Sequence, residues 1–210
     1  MSALSRACDI PSDSEMLGVG TAHFLYRDRH FRSEAIKVLP GEYYATASDI
    51  MIVTLLGSCV AACIHDPQRR IGGMNHFLLP QNRMDDGLAG ARYGVHAMEL
   101  LINGLLQLGA RREALEAKVF GGGNVARRMT RSLIGQQNAH FVLAFLERER
   151  IRVTAQDMGG DSPRRIHFFP QTGQVMVRTL AVADVPDIEL AESALESRVG
   201  QPQGGVELFT

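Results

Sequence analysis

A chain of 210 residues, 45% hydrophobic and 21% charged, falls in the ordinary globular range and is long enough to bury a core as one domain with extensions. Its formal net charge of -1 supplies no long-range field for holding nucleic acid or an anionic membrane. No run approaches the roughly 18 apolar residues of a membrane span, so no membrane insertion is expected.

The first residues, Met1 to Ser14, are polar and carry no apolar signal segment. With only three cysteines, Cys8, Cys59 and Cys63, an odd number, the composition points to a reducing, cytoplasmic setting and thiols rather than a disulfide framework. Met1 to Glu15 is aperiodic and reads as a flexible leader. Thr21 to Arg32 mixes aromatics with charge and gives no clear element. Ile36 to Leu39 and Glu42 to Ala47 read as short strands around a Pro40-Gly41 turn. Ile50 to Leu56 is a β-branched, buried strand ended by Gly57-Ser58. Val60 to Ile64 is a second apolar strand closed by Asp66-Pro67, and Ile71 to Leu79 a third, stopped at Pro80.

Met84 to Gly90 reads as a loop. From Ala91 to Leu108 the apolar residues recur at three- and four-residue steps, which predicts an amphipathic helix with Gly109 as its stop. Ala117 to Phe120 is a short strand running into Gly121-Gly122-Gly123-Asn124. That string lacks the spacing of a phosphate loop and reads as a tight turn. Asn138 is placed as the cap of a second helix to about Arg150. Ile151 to Gln156 alternates like a half-buried strand, and Arg165 to Phe169 with Gln174 to Thr179 make a hairpin around Pro170 to Gly173. Asp187 to Val199 is a candidate last helix and Gly200 to Thr210 a flexible tail. The basic pairs Arg127-Arg128 and Arg164-Arg165 read as solvated faces. Many short strands with two clear helices predict an α+β fold of layered α/β type, a single domain over 16–183 with a leader at 1–15 and a C-terminal helix and tail at 184–210.

One stretch carries chemistry. Cys59 follows Gly57-Ser58, a permissive turn that can leave a thiol at the end of an element and aim backbone N–H groups at a developing oxyanion. Buried cysteines are ordinarily structural, and Cys63, inside the next strand, is read that way. His76, if it faces Cys59, can take the thiol proton, and the Thr54 hydroxyl can then orient the ring. The bland alternatives are a satisfied core histidine and a threonine chosen for β-propensity. Cys59, Cys63, His65 and His76 also form a C-x3-C-x-H set with a distant histidine. That set matches none of the usual zinc spacings, and no metal is expected.

The sequence resembles the bacterial chemoreceptor glutamine deamidases (CheD). The resemblance rests on Leu39-Pro-Gly-Glu-Tyr-Tyr44, Thr54-Leu-Leu-Gly-Ser-Cys-Val60, Gly72-Gly-Met-Asn-His-Phe-Leu-Leu-Pro80, Lys118-Val-Phe-Gly-Gly122, Ile134-Gly135 and Asp157-Met-Gly-Gly-Asp161 with Arg164-Arg165, in that order. It implies a cysteine-hydrolase-like fold with mixed β-sheets and flanking helices. It also implies a Cys-His-Thr constellation in which Cys59 is nucleophile, His76 base and acid, and Thr54 the orienting hydroxyl. Some members carry one more residue between the threonine and Gly-Ser-Cys, so Thr54 is matched across a one-residue gap. The implied reaction converts glutamine side chains to glutamate on the cytoplasmic domains of methyl-accepting chemotaxis receptors, through a thioester and without metal or nucleotide. A receptor methylesterase side activity and a CheC-type phosphatase as partner follow from the same resemblance. The alternative function is a mainly non-catalytic regulator that binds such a phosphatase or the receptor.

Overall fold

Alternation along one strand explains the layering. In β6 (Val60–Asp66), Val60, Ala62 and Ile64 pack in one cluster while Ala61 and Cys63 pack in another, as a strand buried on both faces must. The computed structural model describes residues 18–79, 87–125 and 132–181. The predicted leader, the 184–210 extension, Cys8 and the Arg127-Arg128 pair lie outside them.

Within the described residues, β6 joins β1 (Val19–Gly20), β4 (Tyr43–Thr46), β7 (Ile71–Asn75), β8 (Glu116–Gly121) and β9 (Arg152–Met158) in a six-stranded sheet of order β1-β4-β7-β6-β8-β9. A five-stranded sheet, β11-β10-β5-β3-β2, is built from β2 (Phe24–Arg27), β3 (Glu34–Lys37), β5 (Met51–Leu56), β10 (Arg164–Phe169) and β11 (Gln174–Thr179). Both sheets are mixed. The β8–β9 pair is parallel in the first and the β3–β5 pair is parallel in the second, while the other pairs are antiparallel.

Helices α1 (Gly87–Gln107) and α2 (Ser132–Arg148) pack on the six-stranded sheet. Met98, Leu101, Ile102, Leu105, Val142, Phe145 and Leu146 meet the outward residues of β6 there. The second cluster fills the space between the sheets, where Ala61, Cys63 and Met74 face Ile36, Val38, Ile52, Leu56, Ile166 and Phe168. Each such fully buried aliphatic or aromatic side chain contributes about 1.5–3 kcal/mol relative to exposure. The result is a single α+β domain with three layers, helices, sheet and sheet.

Helix ends follow capping chemistry. Past α1, Gly109 has φ 98°, its N–H donates to the Leu106 carbonyl, and Ala110 N–H donates to Leu105, the paired bonds that close a helix through a left-handed residue. Past α2 the same pair forms from Arg150 to Glu147 and from Ile151 to Leu146, with Arg150 itself at φ 57°.

Three local expectations need correction. Gly87 to Gly90 is already helical, because α1 begins ahead of its apolar stripe. Thr21 to Arg32 contains the edge strand β2, whose Phe24 and Leu25 are exposed and so gave no burial pattern. Asn138 does not cap α2; it lies within the helix and is fully buried.

Candidate active site

The chain changes sheets at Gly57-Ser58-Cys59. Strand β5 ends at Leu56 in one sheet and β6 begins at Val60 in the other, so Cys59 sits at the corner with its side chain in the inter-sheet cluster. Three carbonyls pin that corner. Gly57 O accepts from Gly123 N at 2.9 Å, Cys59 O from Gly122 N at 2.8 Å, and Ser58 O from Asn138 Nδ2 at 3.0 Å.

The tight turn expected at Gly121-Gly122-Gly123 is therefore the brace for Cys59. Gly121 has φ 108°, and a Cβ there would stand 2.2 Å from Cys59 O, a position only glycine can fill. The brace is itself held from behind. Gly159 N donates to Gly121 O, Asn124 N donates to Gly160 O, and the Arg164 guanidinium donates to the Asp157 and Gly159 carbonyls. Arg164 is thus buried and bonded, not solvated as its position in a basic pair suggested.

His76 follows β7. Val60 and Phe77 exchange both backbone hydrogen bonds, at 3.0 and 2.9 Å. The register is the one that pairs Cys63 with Met74, so Ala61 falls opposite His76 and Cys59 opposite Leu78. Cys59 and His76 therefore share the inter-sheet face as diagonal neighbours, a relation that in an antiparallel pair lies within reach of aromatic and long side chains. Between the Cys63–Met74 and Val60–Phe77 pairs the ladder is completed by a side chain, because Ala62 N donates to Asn75 Oδ1 at 3.0 Å. The backbone of His76 is tied to the Pro40-Gly41 loop through Gly41 N to His76 O and His76 N to Glu42 O.

Thr54 reaches the ring from the opposite sheet. Its Oγ1 lies 2.8 Å from His76 Nδ1 and 2.7 Å from the Val38 carbonyl. A carbonyl only accepts, so the hydroxyl proton goes to Val38 and the hydroxyl oxygen accepts from Nδ1–H. This network assigns His76 to the Nδ1–H tautomer and leaves Nε2 with its lone pair. Among the described residues, Nε2 is the sole buried side-chain nitrogen or oxygen with no hydrogen-bond partner. A buried acceptor left unpaired costs about 1–3 kcal/mol, so it calls for a reason, and a catalytic role is one such reason.

Electrostatics keep this group neutral. Burial holds the His76 imidazole down at about 4, with the Val38 carbonyl acting in the other direction. Cys59 and His76 are 0% and 2% exposed and Thr54 is 1% exposed, so all three are enclosed. Burial pushes the Cys63 thiol far up, which suits its place in the core. Among the described residues, no three His, Cys, Asp or Glu side chains converge to hold a metal ion.

Sequence reasoning missed Asn138 and Arg164, whose partners are distant in the chain. The signals were an asparagine inside an otherwise favourable helix and an arginine beside Gly159-Gly160.

Comparison with known proteins decides the relationship. The family model described as CheD chemotactic sensory transduction matches residues 78–179. A Shewanella oneidensis protein named probable chemoreceptor glutamine deamidase CheD 1 is 54% identical over 189 residues, 88% of this chain and 92% of that protein. The chain belongs to the CheD family. A Burkholderia thailandensis relative of the same name is 50% identical over 192 residues, 90% of this chain and 82% of its own. The CheD family model begins at Leu78, just past His76, but an alignment covering 88% of the chain necessarily includes residues 54–76. Within a CheD protein the brace at Gly121–Gly123, β9 and Arg164 fall inside the matched segment, while the corner they hold lies before it.

Proposed function

We propose that this chain hydrolyses glutamine side-chain amides of chemotaxis receptors to glutamate. The names of its CheD relatives give the substrate class, and the unpaired Nε2 of His76, on the face shared with Cys59, carries the chemistry. Nε2 takes the proton from Cys59 Sγ as sulfur attacks the amide carbon. The tetrahedral oxyanion then collapses, the C–N bond breaks, and His76 returns that proton to the leaving ammonia. Water attacks the resulting thioester with its proton passing to Nε2, and a carboxylate leaves as the thiol re-forms. Thr54 accepts from Nδ1–H throughout and stabilises the imidazolium that burial disfavours.

The same acyl-enzyme forms from a glutamyl methyl ester with methanol as leaving group, so receptor methylesterase activity accompanies the reaction. Each deamidation adds one negative charge to a receptor helix, which shifts helix packing by about a few tenths of a kcal/mol per neighbouring charge. Several such changes bias a near-balanced signalling equilibrium.

A second reading is favoured by one observation, the complete burial of Cys59. In it, the chain acts mainly by binding a CheC-type phosphatase or the receptor, with the site closed. Incubating the protein with a receptor cytoplasmic fragment and weighing the fragment separates the two. Conversion of an amide to an acid adds about 1 Da per site. A gain with wild type and none with Cys59→Ala supports hydrolysis, and no gain with either rejects it.

A further inference from the structure

Asn138 occupies the interior of α2, where asparagine is a weak helix former, and it is fully buried. Both ends of its amide are used. Nδ2 donates to Ser58 O at 3.0 Å and Oδ1 accepts from Leu79 N at 2.8 Å. One side chain therefore splints the corner that carries Cys59 to the segment that continues from His76.

The Ser58 carbonyl belongs to the same planar peptide as the Cys59 N–H. The described residues contain no cis peptide, and in a trans peptide these two groups point in opposite directions. The body of helix α2 packs on the outer side of the six-stranded sheet through Val142, Phe145 and Leu146, while its first turn sends Ile134 into the inter-sheet cluster that also holds the Cys59 side chain. Holding Ser58 O toward α2 thus turns the Cys59 N–H toward the side where sulfur acts. Gly123 N holds the preceding peptide in the same manner through Gly57 O. Rotating the Ser58–Cys59 peptide would break the Asn138 bond and strand a buried amide and a buried carbonyl, an outcome folded proteins avoid.

Resting on the reading of Cys59 as an acylated thiol, we infer that Asn138 is a positioning residue for acyl transfer. It fixes the Ser58–Cys59 peptide so that the Cys59 N–H faces the oxyanion that forms when Cys59 attacks a carbonyl. It touches neither substrate nor the reacting atoms.

The test compares two reactions of Cys59 in the intact protein. Acylation by p-nitrophenyl acetate forms an S–C bond to the acetyl carbon through an oxyanion and expels p-nitrophenolate. Alkylation by iodoacetamide displaces iodide at carbon and builds no oxyanion. In Asn138→Ala, acylation is expected to slow about 10- to 100-fold, the range of a weakened oxyanion donor. Alkylation is expected to stay within about threefold of wild type across pH. In Asn138→Asp, a protonated carboxyl restores a donor for Ser58 O and an acceptor for Leu79 N, so acylation relative to wild type recovers as pH falls. The Asp variant at its acid end also keeps the test open if Asn138→Ala does not fold.

Equal losses in both reactions would mean general damage to the site and overturn the inference, as would unchanged acylation. A wild type that is acylated yet leaves the receptor fragment unchanged in mass removes the receptor reading alone. The Asn138 comparison would then still decide its own question.

Discussion

The oxygen of Thr54 stands 2.8 Å from Nδ1 of His76 and commits its own O–H to a hydrogen bond with the Val38 carbonyl. The tautomer of His76 is therefore set by a main-chain group on a third segment. Thr54→Val removes the acceptor and leaves Nδ1–H and Val38 O without their shared partner. Deamidation kcat is expected to fall about 10- to 100-fold, within the range of general-base contributions. Chemical denaturation should show a loss of about 1–3 kcal/mol. Thr54→Ser keeps the oxygen and should keep most of the activity; parity of Val and Ser variants would remove Thr54 from the mechanism.

His76 must be neutral to accept a proton, and burial holds it down at about 4. The acid limb that His76 contributes to kcat/KM is expected near pH 4 to 5, not at the ordinary imidazole value near 6.5. A limb centred near 6.5 would contradict the enclosed geometry.

Stability follows with a defined sign. The unfolded chain protonates His76 near pH 6.5 and the folded one only near 4, so between these values the unfolded state binds more protons. Stability is at its full value above about 6.5 and declines as pH falls toward 4, by about 3 kcal/mol over that window. Urea midpoints measured against pH should show this decline in wild type and a shallower one in His76→Gln.

Gly121→Ala would press a Cβ into Cys59 O at 2.2 Å and would hold alanine at φ 108°. A loss of about 3 kcal/mol or more is expected from strain at such a position, with Cys59 displaced. Calorimetric melting of the variant together with its acylation rate checks both halves.

Two substitutions should leave the chemistry alone. Cys63→Ala removes a thiol buried in the core and should cost about 1 kcal/mol with activity retained. Arg150→Gly relieves a left-handed residue on the exposed end of α2 and should raise stability by about 1 kcal/mol, read as a higher Tm.

The apolar pattern of the sequence disclosed β5, β6 and β7 as unbroken runs, which are buried on both faces, and α1 by its three- and four-residue steps. It also exposed Gly57-Ser58-Cys59 as a turn. The chain alone did not disclose that Thr54 and His76 approach from opposite sheets, since that depends on how the two sheets stack. Asn138 misled for a related reason. Its cap preference is a local property, whereas its actual bonds reach 80 residues back to Ser58 and 59 back to Leu79. Arg164 looked like surface charge because nothing nearby in sequence shows that the Asp157 and Gly159 carbonyls converge on it.

The phase of α2 is constrained from two points within one turn. Gly135 packs so tightly that a Cβ would come 2.5 Å from Gly122 O, and three residues later Asn138 must meet Ser58 and Leu79. Inserting one residue between them would rotate Asn138 by about 100° about the helix axis while Gly135 stayed in place. Helices that merely cover a sheet tolerate such slips by repacking. Here the rotation would disconnect the Gly57-Ser58-Cys59 corner from its splint, so the length of the 135–138 interval is as much a part of the site as the side chains that line it.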